Sequence, residues 1–183
     1  MPPHIKSALL GCLEIPLFMK VGVTRFKGTK YSALMSFLIP FLTIIPTAEL
    51  AKINPDFADK SYFWIFGMFF LLFGLSSLFF YSISYACMVA LERKQHFLTY
   101  ITAFNWIGLT SLAINLPFFL LVYTGFYSFE EMFNLFIFMV LFSCTYQAFM
   151  VTHLLRINWM LGAAIAIMSM LIDDGIHKLL FST

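Results

Sequence analysis

The densest group of ionisable side chains in the sequence is Asp173-Asp174-x-x-His177-Lys178, set between Met170-Leu171-Ile172 and Leu179-Leu180-Phe181. On a helix, Asp173 and His177 lie one turn apart on one side, and Asp174 and Lys178 do the same beside them. A carboxylate and an imidazole so spaced are two metal ligands. Structural zinc takes four, so Glu49 or Glu130 would have to converge on them. Without that convergence the group is a wetted cluster of internal ion pairs, worth little to stability. That is the reading we adopt, and no metal site is expected. A second set is uncharged: Ser84, Asn105 and Gln147 fall in different apolar runs at similar depth. An amide turned to lipid would leave its hydrogen bonds unmade, so these three are expected to face one another. In a functional version of that contact, Asn105 and Gln147 line a small cavity.

Nucleophilic and metal-assisted chemistry find little support. Gly74-Leu75-Ser76-Ser77 falls one glycine short of the Gly-x-Ser-Gly of intramembrane serine proteases, and His153 lies at the far end of its own apolar run. A serine nucleophile needs a base within hydrogen-bond reach. Asp173-Asp174-Gly175 opens like the metal motif of CDP-alcohol phosphotransferases, but the further aspartates that motif requires do not follow. The glycines and serines of the second apolar run (Gly67, Gly74, Ser77, Ser84) read instead as a small-residue stripe for close helix packing. Cys12, Cys87 and Cys144 are an odd number without Cys-x-x-Cys spacing, and serve as apolar fillers. No catalytic residue and no cofactor is expected.

The elements that carry these residues follow from composition. Hydrophobic residues make up 61% of the 183, charged residues 11%, and the mean hydropathy is +0.90. A soluble domain carries about 25% charge, because it presents a wetted surface to water. Lipid must therefore solvate most of this chain. A spanning helix needs about 20 apolar residues at about 1.5 Å rise each. Runs of that kind lie at about 31–48, 62–91, 97–123 and 132–152, with a shorter one at about 157–173. The expected fold is all-α, a single membrane domain of five transmembrane helices. Ile53-Asn54-Pro55-Asp56 and Glu92-Arg93-Lys94-Gln95 read as connections, and Tyr62, Trp64, Tyr123, Tyr127 and Trp159 as interfacial aromatics.

Lys6, Lys20, Arg25, Lys27, Lys30, Arg93, Lys94 and Arg156 fall on one side of the resulting arrangement, eight basic residues against Lys52, Lys60 and Lys178 on the other. Positive residues stay inside, so the N-terminus is expected in the cytoplasm and the C-terminus outside a bacterial inner membrane. Residues 1–30 carry Ile5, Ala8, Leu9, Cys12 and Leu13 at helical spacing. They read as an amphipathic helix lying on the cytoplasmic leaflet rather than as a signal peptide. The middle of each expected span lacks Asp, Glu, Lys, Arg and His, which argues against proton-coupled transport or carriage of a charged solute.

The stretch from Arg25-Phe26 through Tyr31-Ser32-Ala33-Leu34-Met35-Ser36-Phe37 into a proline-broken first span, with Tyr100-Ile101-x-Ala103-x-Asn105-Trp106, resembles a group of uncharacterised alphaproteobacterial membrane proteins. That group is similar in layout to the Yip-type five-span proteins of the eukaryotic secretory pathway. The resemblance implies a five-helix membrane fold without known catalytic activity, and carries over no site residues. The expected role is a non-catalytic scaffold or partner-binding subunit, with a transporter or channel for a neutral or lipid-like molecule as the alternative. The expected partners are the lipid bilayer, other membrane proteins or further copies of the chain, and no nucleic acid.

The topology makes a direct prediction. A reporter active only in the cytoplasm should work when fused after Gln95 and fail after Ser128 or at the C-terminus. Activity at the C-terminus would mean an even number of spans.

Overall fold

The structure is a computed structural model describing residues 3–52, 57 and 59–181. Among these residues the fold is all-helical, and five segments are long and apolar enough to cross a membrane: Lys30–Glu49, Tyr62–Ala90, Lys94–Tyr123, Glu130–Leu155 and Trp159–Phe181. The expected turn at 53–56 lies outside the described residues.

The first span is built of two helices, α3 (Lys30–Ser36) and α4 (Leu38–Ala51). Thr29 caps α3 by accepting from the Ser32 amide at 3.1 Å. The break after Ser36 has a cause in Pro40, whose ring nitrogen has no hydrogen to give the carbonyl four residues back. The other spans are α5 (Tyr62–Ala90), α6 (Phe97–Tyr123), α7 (Phe129–Leu155) and α8 (Trp159–Phe181). Ser61 caps α5, and Ser128 with Glu131 forms a reciprocal capping box on α7. Arg156, in the left-handed conformation at φ 53°, ends α7. The Arg93 guanidinium donates to the Leu155 carbonyl at 3.0 Å, so the α5–α6 connection also satisfies the end of α7.

The spans close into a ring. Helix α4 packs on α5 and α6, α5 on α8, α8 on α7, and α7 on α6. The tightest seam is α7 against α8, where a β-carbon added to Gly162 would meet the Thr152 side chain and stand 2.9 Å from the Ala148 carbonyl oxygen. Ala148 and Ala166 are buried beside it. Without a hydrophobic drive between helices in lipid, such close backbone approach is what holds a pair together. The stripe expected on α5 behaves differently: β-carbons at Gly67 and Gly74 would meet nothing within 4 Å. Those glycines are not a packing face. The periodicity marks one side of the helix without saying whether lipid or protein lies there.

One further expectation needs correction, and one left open is resolved. The fifth helix, whose apolar run ends near 173, continues to Phe181, where Lys178 bonds Asp174 within the helix and Asp173 bonds Ser76 of α5. The N-terminal segment is seated against the bundle as a hairpin, α1 (Pro3–Glu14) and α2 (Lys20–Val23). Its buried face is Ala8, Gly11, Cys12 and Ile15, while Leu13 and Leu17 are exposed. Ala8 and Cys12 of the expected arc, with Gly11 and Ile15, thus face the bundle rather than a leaflet. The Cys12 thiol donates to the Trp106 carbonyl at 3.2 Å, and Thr110 donates to the Cys12 carbonyl at 2.9 Å. Trp106 is nine residues into α6, about 14 Å along it, so the hairpin tip reaches well down the span. A bidentate Arg25–Glu14 pair (2.7 and 2.9 Å) staples the hairpin and holds the Glu14 carboxyl below its usual range. The tip closes through Phe18, at φ 56° in the left-handed region, whose ring packs edge-on against Phe149 and Phe142.

The contrast between glycines is testable. Gly162→Leu should lower stability in detergent by about 1–3 kcal/mol, the usual cost of overpacking, while Gly74→Leu should leave it within about 0.5 kcal/mol. Thermal unfolding of both variants checks this; equal effects would place the seam elsewhere.

Candidate functional site

The half of the bundle nearer the Arg93 and Arg156 loops is densely packed. Met88, Tyr100, Met150 and Leu155 are fully buried there. Above this layer the ring is hollow. A cavity of about 400 Å³ lies between the five spans, within the usual size range of small-molecule sites.

Its floor is aromatic. Phe80, Tyr81 and Phe104 line it, with ring centroids of Phe80 and Phe104 4.6 Å apart. The floor is held by Asn105, which is buried and uses both ends of its amide. The Tyr81 hydroxyl donates to Asn105 Oδ1 at 2.6 Å, and Asn105 Nδ2 donates to Ser36 Oγ at 2.9 Å. Three spans are thereby tied at one level. Gln147 faces the same cavity from α7. Ser84 lies one layer below, buried, with its hydroxyl 3.4 Å from that of Tyr100. The three residues expected to meet are therefore divided. Asn105 and Gln147 share the cavity, Ser84 does not, and among the described residues no hydrogen bond joins any two of them.

The walls are lined by short polar side chains. Ser76 and Ser77 come from α5, Ser111 and Asn115 from α6, Ser143 and Cys144 from α7, and Ser169 from α8. Ser111 and the Tyr146 hydroxyl bond across α6 and α7 at 2.5 Å, and Asn115 donates to the Ser111 carbonyl at 2.7 Å. By sequence, Ser76 and Ser77 read as a failed protease motif and a packing stripe rather than as cavity lining, and Ser111, Asn115 and Ser143 are not singled out. The signal was present, as polar residues at three- and four-residue spacing in each span: Gly108-Ser111-Asn115, Ser143-Gln147, Ser169-Asp173.

Asp173 lines the cavity as well, and its placement overturns an expectation. Ser76 Oγ donates to Asp173 Oδ1 at 2.9 Å. Ser76 is the midpoint of α5, fourteen residues from both Tyr62 and Ala90. The carboxylate thus meets a 29-residue helix at its centre, so the middle of the bundle does contain an ionisable group. The rest of the terminal cluster turns away. Lys178 pairs with Asp174 at 2.7 Å, both exposed, and the His177 ring rests on Phe181 with centroids 4.5 Å apart. Among the described residues no three His, Cys, Asp or Glu side chains gather to hold a metal. Neither Glu49 nor Glu130 converges on Asp173 and His177.

Comparison with protein-family models, with curated proteins and with solved structures found no match. The site is therefore read from its own chemistry.

Asn105→Leu keeps the volume but strands the Tyr81 hydroxyl and removes the donor to Ser36, whose own hydroxyl still bonds the Ala33 carbonyl. It should cost about 1–2 kcal/mol, whereas Gln147→Leu, which breaks no protein hydrogen bond, should cost less than about 0.5. Unfolding measurements in one detergent compare the two; equal losses would mean that Asn105 is not the tie between spans.

Proposed function

We propose that this protein is a multi-pass inner-membrane protein that admits a small polar solute into the chamber between its helices. The N-terminus is taken as cytoplasmic, on the basis of the basic loops. The observation that carries the reading is the chamber itself: a ring of five spans around a space lined by hydroxyls, amides and a carboxylate. In lipid, such groups cost free energy unless they are hydrogen-bonded or hydrated. A scaffold, the role expected from the sequence, has no use for a hollow of this polarity, because its contacts lie on the outer surface. The reading is one of binding and passage rather than catalysis. Ser76 donates to a carboxylate, a base too weak to activate a serine hydroxyl without help.

The chamber spans from the level of Asn105 to the level of Asn115. Below it lies the packed Phe80–Tyr81–Phe104 layer, with Tyr100 against it. This arrangement supports a chamber sealed on the cytoplasmic side in the state described. Passage through it requires rearrangement of the aromatic layer.

A native thiol makes the test simple. Cys144 lines the chamber, while Cys12 is buried in the hairpin, where burial pushes its thiol up to about 11. In intact membranes at pH 8, a small water-soluble alkylthiosulfonate should modify Cys144 and spare Cys12, as read by mass spectrometry. No modification of Cys144 would mean that the chamber is not wetted, and the reading would fall.

A further inference from the structure

The geometry points to a small organic monocation, an amine or quaternary ammonium compound, as the solute, with its charge held at Asp173. This deepens the chamber reading and rests on it.

The lining holds one charged side chain, and it is negative. Asp173 accepts a single protein hydrogen bond, from Ser76, and retains exposed surface on the chamber side. Among the described residues no lysine or arginine lines the chamber or bonds to Asp173. The titratable groups that act on it along its own helix are His177 and Asp174, and Lys178 is engaged by Asp174. The elements packed against it present Ser76, Ser77, Ser143 and Cys144, of which only the thiol titrates. Apart from His177 on its own helix, a carboxylate so placed has no counter-charge among the described residues, and a low-dielectric wall focuses its field into the chamber.

The remaining lining selects the kind of cation. A bare metal ion asks for several oxygen ligands at once, and among the described residues no further carboxylate joins Asp173 in the lining. Phe73, Phe80, Tyr81 and Phe104 instead offer aromatic surface. Rings attract organic cations through their quadrupole and cover their alkyl groups. A charged head at Asp173 with an apolar body against these rings uses both kinds of lining.

Cys144 reports on this directly. Wild-type protein, Asp173→Asn and Asp173→Glu are treated in membranes at pH 8 with alkylthiosulfonates carrying a trimethylammonium or a sulfonate group. The ratio of cationic to anionic labelling rates at Cys144 is measured. Asp173→Asn retains an acceptor for Ser76 and should lower the ratio about tenfold, and Asp173→Glu should restore most of it. Tetramethylammonium should slow labelling of the wild type more than the same concentration of sodium does. An unchanged ratio in Asp173→Asn, with Cys144 still reactive, would overturn the cation inference and leave the wetted chamber standing. Equal protection by sodium would overturn the organic class. If neither reagent reaches Cys144, the chamber reading fails first and this inference with it.

Discussion

Helices in lipid gain little by hiding apolar side chains from one another, since the solvent is as apolar as they are. What remains to fix their relative positions is hydrogen bonding and close approach. Here the decisive bond set is at Asn105. Its amide joins Tyr81 of α5 and Ser36 at the break of the first span, and so sets the depth of three spans against one another. Each such bond contributes about 0.6 kcal/mol on average in a well-measured bundle, with an upper end near 1.7. The energy is modest. The alternative, an amide without partners in hydrocarbon, is what makes the register unique.

From that level the molecule diverges in two directions. Below it, large side chains fill the ring: Met88, Tyr100, Met150 and Leu155 are fully buried. Above it, the positions that face one another are Ser76, Ser77, Gly108, Ser111, Ser143 and Ser169. Side chains this short cannot meet across a ring of five helices, so the space between them stays open. Because they are hydroxyls rather than methyls, the space offers water the several partners it needs, whereas an apolar hole of the same size would remain dry. Filled and hollow halves thus arise from one rule about side-chain size, applied on either side of the Asn105 level.

The sequence disclosed those features whose cause is local. Four long apolar runs and the inward turn of Asn105 follow from the cost of leaving polar groups in hydrocarbon. What it concealed depended on partners. Asp173 looked like the end of a span because a hydropathy window stops at charge; only Ser76, ninety-seven residues earlier, reveals that the helix continues past it within the bundle. Gly67 and Gly162 are the same residue type at helical spacing with neighbouring small residues. One faces open space and the other the Ala148 carbonyl. In the N-terminal hairpin, Ile5, Ala8, Leu9, Cys12 and Leu13 suggested an arc facing a leaflet. Ala8 and Cys12 of that arc, with Gly11, are instead buried against the bundle, while Leu13 is exposed.

The position of Asp173 ties these points together. A carboxylate at the centre of a helix costs about 2.5–3.5 kcal/mol to place in a membrane. One hydrogen bond from a serine hydroxyl contributes about 1.5–3 kcal/mol to a charged acceptor before the serine's own desolvation is counted, so Ser76 alone does not comfortably balance that cost. On the proposed reading, water in the chamber or a cation brought into it would supply the remainder. The same hollow that small side chains create above Asn105 is therefore what makes the carboxylate tolerable. The carboxylate in turn gives the hollow a sign. Filling the chamber with larger apolar residues would restore dense packing and at the same time remove the hydration on which an ionised Asp173 depends. The dense half can be read as a stable bundle by itself, whereas the hollow half makes physical sense only with something polar inside it.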